Sequence, residues 1–306
     1  MVRGVPCVTI TGQKGIGKTQ VLLKACAYTR ERNVFGEIFF CRVDKAGRDH
    51  DACNWLEKGF QLPAGSLDAH NMDGAVEKIT EHVKGQLRRL RRRSLHSSQR
   101  ALLVLDGCTQ FVVVGQERVH LKNLLSRLFK RLEEAGVWLT AAVTMQASGP
   151  TAPGRVGVPE ERTVVVEPLD ARSTAELFSM CCSRNLLKLE IDPNNEGVVG
   201  KDGKLDTFGA FAKSDIVRAL RGHPAIVQDL CRCPRVHEEK GLLFYGKELL
   251  EVDIPALQAK YAYPDEQVAR RISFSSSMPG GHWEETARDG LERLWSEVQV
   301  PSRGFY

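Results

Sequence analysis

No stretch of this sequence is apolar for long enough to cross a bilayer. Its longest runs, such as Ala101 to Leu105 and Phe111 to Val114, fall far short of the ~20 residues that a spanning helix needs. A secretory signal is also missing from the reading, because a strand pattern begins almost at the N-terminus. The nine cysteines show no repeated spacing. Cys181 and Cys182 are adjacent and Cys231 and Cys233 are one residue apart, which fits neither a disulfide framework nor the two-residue gap of common zinc pairs. These absences lead to the expectation of a cytoplasmic protein with buried thiols and no membrane contact.

Acidic residues are missing from one segment. Lys84, Arg88, Arg89, Arg91, Arg92, Arg93 and Arg100 follow one another with no acid between them, against a formal net charge of +5 for the whole chain. Val76, Ile79, Val83, Leu87 and Leu90 recur at helical spacing through the same region, so the charge belongs to a helix's solvent face or the loop after it. A solvated helix end is the favoured reading, and a contact with nucleic-acid phosphates the less favoured one.

What is present is ample for a core: 306 residues, 42% of them hydrophobic. Val5 to Thr11 reads as a buried strand rich in β-branched residues. Further strands are expected at Glu37 to Val43, Ala101 to Leu105, Val137 to Val143 and Thr163 to Val166. Helical patterns lie between most of them. The clearest is Leu121, Leu124, Leu125, Leu128, Phe129 and Leu132, ending at Gly136 where a C-terminal glycine is favoured. Such alternation predicts an α/β fold, a parallel sheet with helices on both faces.

From about Pro168 the pattern becomes helical. The expected organisation is an α/β unit over 1–168, a smaller helical unit over 169–233, and an extension over 234–306. That extension holds a flexible linker at Ser273 to Gly281 and a terminal amphipathic helix carrying Trp283, Ala287, Leu291, Leu294 and Val298. A glycine- and asparagine-rich loop is expected at Asp192 to Lys204.

The chemistry starts after the first strand, at Gly12-Gln13-Lys14-Gly15-Ile16-Gly17-Lys18-Thr19-Gln20. Gly12, Gly17, Lys18 and Thr19 fill the fixed places of the P-loop pattern, a match expected by chance in roughly one such chain per hundred. In that pattern glycines let backbone N–H groups curl around phosphate oxygens, the lysine offsets β- and γ-phosphate charge, and the hydroxyl binds Mg²⁺. Ala101 to Leu105 then delivers Asp106 at a strand's C-terminal end, where open α/β sheets bind ligands, so Thr19 and Asp106 are the candidate Mg²⁺ residues. Gly107, Cys108, Thr109 and Gln110 follow, and none of them is a carboxylate base.

Over roughly residues 5 to 232 the arrangement resembles the STAND class of signalling ATPases, in particular NB-ARC and NACHT domains. Leu103-Val104-Leu105-Asp106-Gly107 looks like the NACHT form of the Mg²⁺ strand. Val165 to Asp170 followed by Ala175-Glu176-Leu177-Phe178 is similar to the segment that opens the ARC helices. Arg221-Gly222-His223-Pro224-Ala225-Ile226-Val227 looks like the later glycine-x-proline motif. The resemblance implies an ATP/ADP-binding switch with Mg²⁺, Pro224 near the adenine, and an output through a protein partner or self-assembly. Where the family carries a Thr-Arg sensor for the γ-phosphate, Val143-Thr144 is followed here by Met145-Gln146, so slow hydrolysis is expected. The alternatives are an active ATPase or phosphotransferase and, less favoured and suggested by the arginine run, a nucleic-acid-associated ATPase.

Overall fold

The computed structural model describes residues 5–43, 52–68, 71–93, 98–108, 115–147, 154–192 and 206–262. They all fall in the first of two compact units, Met1–Gln267; the second, Val268–Tyr306, lies outside the described residues. The expected linker, terminal helix and most of the loop after Asp192 therefore lie outside them too, as do Thr109 and Gln110.

A five-stranded, fully parallel sheet has the order β2-β3-β4-β1-β5. Its strands are β1 (Cys7–Gly12), β2 (Glu37–Arg42), β3 (Arg100–Asp106), β4 (Trp138–Gln146) and β5 (Arg162–Val165). Each expected strand is found, with ends shifted by up to a few residues. β3 and β4 lie in the interior of the sheet; β3 reads as an unbroken apolar run from Ala101 to Leu105 because both faces are covered, and β4 is interrupted only by Thr140 and Thr144 before its closing Gln146. The edge strand β5 leaves Val164 and Val165 exposed.

Strand order dictates which face each helix covers. The step from β1 to β2 passes over β4 and β3 in one direction, while the steps β2 to β3 to β4 return in the other. Because parallel crossovers are right-handed, the two directions place their helices on opposite faces. Helix α1 (Lys18–Glu31) covers the first face, where Leu22 packs with Ile10, Leu102, Val104 and Ala142. Helices α2 (Ala52–Phe60), α3 (Met72–Arg93) and α4 (Gly115–Glu134) cover the second, over Cys7, Cys41, Leu103, Leu105 and Val143. The period-2 alternation Leu102/Leu103/Val104/Leu105 thus feeds two separate cores. On α3, Val76, Ile79, Val83 and Leu87 are buried as their spacing predicts, and on α4 so are Leu121, Leu124, Leu125, Leu128 and Leu132.

Beyond β5 every described element is helical: α5 (Ala171–Cys181), α6 (Lys188–Ile191), α7 (Thr207–Phe211), α8 (Asp215–Ala219), α9 (Pro224–Cys231), α10 (Pro234–His237), α11 (Gly241–Phe244) and α12 (Gly246–Glu248). A π-helical stretch at Leu249–Asp253 then leads into α13 (Ile254–Tyr261). Caps explain several of the starts: Asp170 accepts from Ser173 N, Ser214 from Val217 N and His223 from Ile226 N. One core runs from Ala175 and Phe178 through Val227 and Leu230 to Val236, Leu242, Leu249 and Ile254. It is pinned by the buried carboxylate of Glu190, which accepts both Arg184 guanidinium nitrogens at 2.7 and 2.6 Å and the backbone N–H groups of Leu187 and Leu242. Burial is the largest single influence on this carboxyl and raises its pKa, but Arg184 and the Leu187 and Leu242 N–H groups together outweigh it, and the net shift is downward.

Candidate functional site

The residues singled out in the sequence gather at the C-terminal ends of β1, β3 and β4. Gly12 ends β1, Gln13 to Gly17 form the loop, and Lys18, Thr19 and Gln20 open α1, with Gln20 exposed. Gly17 is the helix N-cap at φ +100°. No side chain caps the helix and no acid stands in its first turn, so its first N–H groups have no side-chain acceptor there. The Lys18 ammonium donates to the Gly12 carbonyl at 3.0 Å and the Gln13 carbonyl at 2.6 Å. Burial pulls its pKa down to about 8, against an opposing pull from the Asp106 carboxylate.

Asp106 is 4% exposed and is held from two sides. The Thr19 hydroxyl donates to its carboxylate, 2.9 Å from Oδ1 and 3.1 Å from Oδ2, and the Thr144 hydroxyl donates to Oδ1 at 2.6 Å. Thr144 in turn accepts the Gly107 N–H at 2.8 Å, and its carbonyl accepts the Cys108 N–H at 2.9 Å. Thr144, near the end of β4, therefore fixes both the carboxylate and the chain that leaves it. In the sequence Thr144 stands out only as the residue before Met145-Gln146. The parallel register that brings β4 between β1 and β3 is what makes it a site residue. Cys108 is fully buried, and burial, with Asp106 beside it, holds its thiol protonated.

The helical region closes on the loop from behind. Ala225 N–H, in the first turn of α9, donates to the Gly15 carbonyl at 3.3 Å, giving an otherwise orphan helix donor a partner in the P-loop. Gly15 has φ +80°, and a Cβ there would lie 2.6 Å from Ala225 Cβ and 3.1 Å from both His223 Cε1 and Tyr261 Cδ1. Only glycine allows this approach. His223 is 5% exposed. Its Nδ1 caps α9 by accepting from Ile226 N–H, which fixes the neutral tautomer with hydrogen on Nε2. The Lys14 carbonyl is close to the ring, yet Nε2 makes no well-formed hydrogen bond. Burial lowers the pKa of this imidazole, and Lys18 lowers it further. Tyr261 lies beside it with ring centroids 5.2 Å apart and donates to Asp229 at 2.7 Å. Pro224 is the first residue of α9, half-buried next to these groups.

Two segments far apart in sequence meet here. Leu169 N–H donates to the Gly222 carbonyl at 2.8 Å, and Val166 N–H donates to the Thr11 carbonyl at 2.8 Å. The segment leaving β5 therefore connects the end of β1 to the turn before α9. Chemically, the site offers backbone donors and an ammonium suited to an anion, beside a hydroxyl and a carboxylate suited to a hard cation.

The pattern of the NACHT domain matches residues 7–185. No curated protein matches the chain in sequence. Among solved structures it is similar to Drosophila ORC bound to DNA, at 12% identity over 98% of this chain and 77% of that one, with a TM-score of 0.44. It is also similar to C. elegans PCH-2, at 11% identity over 81% and 63%, TM-score 0.42. A third is domain III of the Thermotoga maritima replication initiation protein DnaA, at 14% identity over 86% and 87%, TM-score 0.36.

Proposed function

The chain belongs to the NACHT family, and from that membership we propose that it is a nucleotide-dependent switch of the STAND type, binding ATP or ADP with Mg²⁺ and hydrolysing slowly. Residues 1–168 form the nucleotide-binding unit and 169–233 the ARC-like helical unit, with 234–306 beyond. The backbone from Gly12 to Thr19 takes the phosphates, with Gln20 in the turn beyond, and Lys18 offsets their charge. Thr19 and Asp106 hold Mg²⁺, and Pro224 lies against the base. The observation that carries this reading is the Thr19–Asp106 pairing on the same loop that α9 packs against. The donor set fits a hard cation: a hydroxyl and a carboxylate side by side, one carboxylate oxygen already steadied by Thr144. When bound, the cation would offset charge on the phosphate oxygens.

Switching follows from the two sides of the loop. Phosphate takes its N–H groups, while the Gly15 carbonyl holds α9, so a change at the phosphates alters the seat of the helical region. The output is binding of a protein partner or of a second copy in a reducing cytoplasm.

Slow hydrolysis follows from the groups around Asp106. Binding ground and transition states equally gives no acceleration. Water-positioning groups contribute about 10²- to 10⁴-fold and a γ-phosphate arginine about 10³- to 10⁵-fold. Cys108 is a buried thiol, the Thr144 hydroxyl is committed to Asp106, and Gln146 stands in place of the arginine at the sensor position. Two measurements test the reading: the nucleotide retained by protein purified without added ligand, and steady-state turnover. Bound ADP or ATP with turnover well below ~10 s⁻¹ is expected. Multiple turnovers per second, lost on Asp106→Ala, would replace the switch with a working ATPase.

A further inference from the structure

Helix α3 divides into two electrostatic halves. In its first half Asp73 pairs with Arg127 at 2.6 Å and Glu77 with Arg131 at 2.7 Å, both cations coming from α4. The two pairs advance in step along both helices, so α3 and α4 run parallel, and by that register Glu134, the last residue of α4, is level with Thr80. Past that level α3 continues to Arg93 without α4 beside it. There it carries Lys84, Arg88, Arg89, Arg91 and Arg92. No salt bridge joins any of these to an acid among the described residues; Lys84 acts on Glu77 only at longer range.

Local physics does not explain the whole ridge. Cations near a helix C-terminus are favoured by the macrodipole, but only within the last turn, which covers Arg91 and Arg92 and leaves out Lys84 and Arg88. Lys84, Arg88 and Arg92 are like charges at i,i+4, which cost helix stability rather than adding to it. The apolar side of this half is spent on the core through Val83 and Leu87, so Arg88, Arg89, Arg91 and Arg92 are exposed and Lys84 half-buried, the row 84, 88, 92 advancing about 6 Å per helical step of four. Leu87 packs beside Gly36, whose N–H pairs with the Arg100 carbonyl at the start of β3. The ridge therefore sits at the N-terminal edge of the sheet, and the P-loop at the C-terminal edge.

We propose that this ridge is a docking surface for the phosphodiester backbone of duplex nucleic acid. Guanidinium groups match phosphate oxygens in pairs, and arginine dominates the ridge. An anionic membrane fits less well, because no large hydrophobic residue of α3 is exposed among the described residues, and a helix that lies on lipid needs a free apolar face. Contact is with the backbone alone, so binding is sequence-independent and strongly salt-dependent. The surface is independent of the P-loop, and nucleotide at one edge leaves the other edge free.

The test uses the full chain and fluorescence anisotropy with a short DNA duplex, an RNA duplex of equal length, and phosphatidylserine vesicles. A ridge variant, K84Q/R88Q/R91Q/R92Q, is compared with a charge-matched control, K188Q/K213Q/K240Q/K247Q, which removes exposed lysines of the helical region. The parent should bind one or both duplexes at about 50 mM salt and lose affinity steeply by about 200 mM. The ridge variant should bind at least about tenfold more weakly, with a log–log salt slope reduced by about 2 to 4, since each phosphate contact contributes about 0.9. The control should keep its affinity, and all three proteins should bind ADP equally, which reports an intact fold. Equal loss in the control, no duplex binding at low salt, or binding to vesicles and to neither duplex would each overturn the proposal.

Discussion

In the loop from Gly12 to Thr19, neighbours in space are neighbours in sequence, and Gly12, Gly15 and Gly17 with Lys18 specify the shape. The wall behind it is made differently. His223, Ala225 and Tyr261 come from two helices and reach Gly15 only because the helical core from Ala175 to Ile254 carries them there. The first wall supplies charge and donors and is costly to alter chemically. The second supplies position and is costly to alter sterically. A switch needs both, since ligand energy collected at the first has to be felt at the second.

The sharpest way to break this division is to remove the charge. Lys18→Ala deletes a charge-assisted contact worth about 1.5 to 3 kcal/mol, so ADP affinity measured by calorimetry should fall roughly ten- to hundredfold or more. The thermal transition without nucleotide should shift little, because the lysine bonds only to loop carbonyls in a site its burial already disfavours. Unchanged affinity would end the assignment of Gly12 to Thr19 as a phosphate cradle.

The next largest effect is expected at the point where the walls touch. Gly15→Ala places a methyl 2.6 Å from Ala225 Cβ in a backbone at φ +80°, and the left-handed conformation alone costs a non-glycine residue about 1 to 2 kcal/mol. Affinity should fall several-fold. Adding Ala225→Gly removes the 2.6 Å contact and leaves the backbone cost and the 3.1 Å approaches to His223 and Tyr261, so the double variant should recover part of the loss. No recovery would mean that the helical wall does not bear on the loop.

The unequal legibility of the two walls has the same origin. The P-loop and Asp106 can be read from sequence because their spacing is contiguous or fixed by a strand end. The strands are also readable, since Ala101 to Leu105 is buried on both faces and Val137 to Val143 is mostly so, with Trp138 and Thr140 half-buried, and neither carries a competing signal. Thr144 was not readable as a support for Asp106, because a threonine near the end of a core strand looks like any other until the β3–β4 register is known. Gly222-His223-Pro224 stands out in the sequence only through its resemblance to the glycine-x-proline motif. Its contacts with Leu169 and the loop are tertiary, set by how the helical core docks. The Arg184–Glu190 pin is likewise invisible without the fold that buries it.

A smaller effect separates the two jobs of His223. Its ring caps α9 and fills the space against Gly15 and Tyr261. His223→Ala loses both, with a cap cost of about 1 kcal/mol. His223→Asn restores a capping acceptor without the ring. If the wall acts on the loop through the ring, Asn should recover the melting temperature while ADP affinity stays a few-fold low. Full recovery of both would leave His223 as a cap alone.

The smallest expected effect is a pH dependence that belongs to the helical wall. His223 is held below the usual imidazole range by burial first and by Lys18 second. The Lys14 carbonyl and Asp229 pull the other way, and the neighbouring Tyr261 hydroxyl is engaged by Asp229 with its own pKa raised. A group with a depressed native pKa binds its proton more readily when unfolded. Between the native value and the unfolded value near 6.5, the unfolded chain therefore carries more protons, and stability rises with pH. The contribution is fully present above about pH 6.5 and is lost as pH falls through the native value, below which the loss levels off. His82 behaves in the same sense, lowered by burial and by Arg89, so the parent carries two such terms. Melting temperatures followed from pH 7.5 down to 5 should fall for the parent, less steeply for His223→Asn, and less steeply for His82→Asn. The two walls then part company with ADP bound. Phosphate beside the loop favours a cation there, so saturating nucleotide should raise the His223 pKa and flatten the His223-dependent part of the curve while leaving the His82 part as it was. An ADP-insensitive difference between parent and His223→Asn would show that the loop and the wall titrate independently and that the contact at Gly15 transmits nothing.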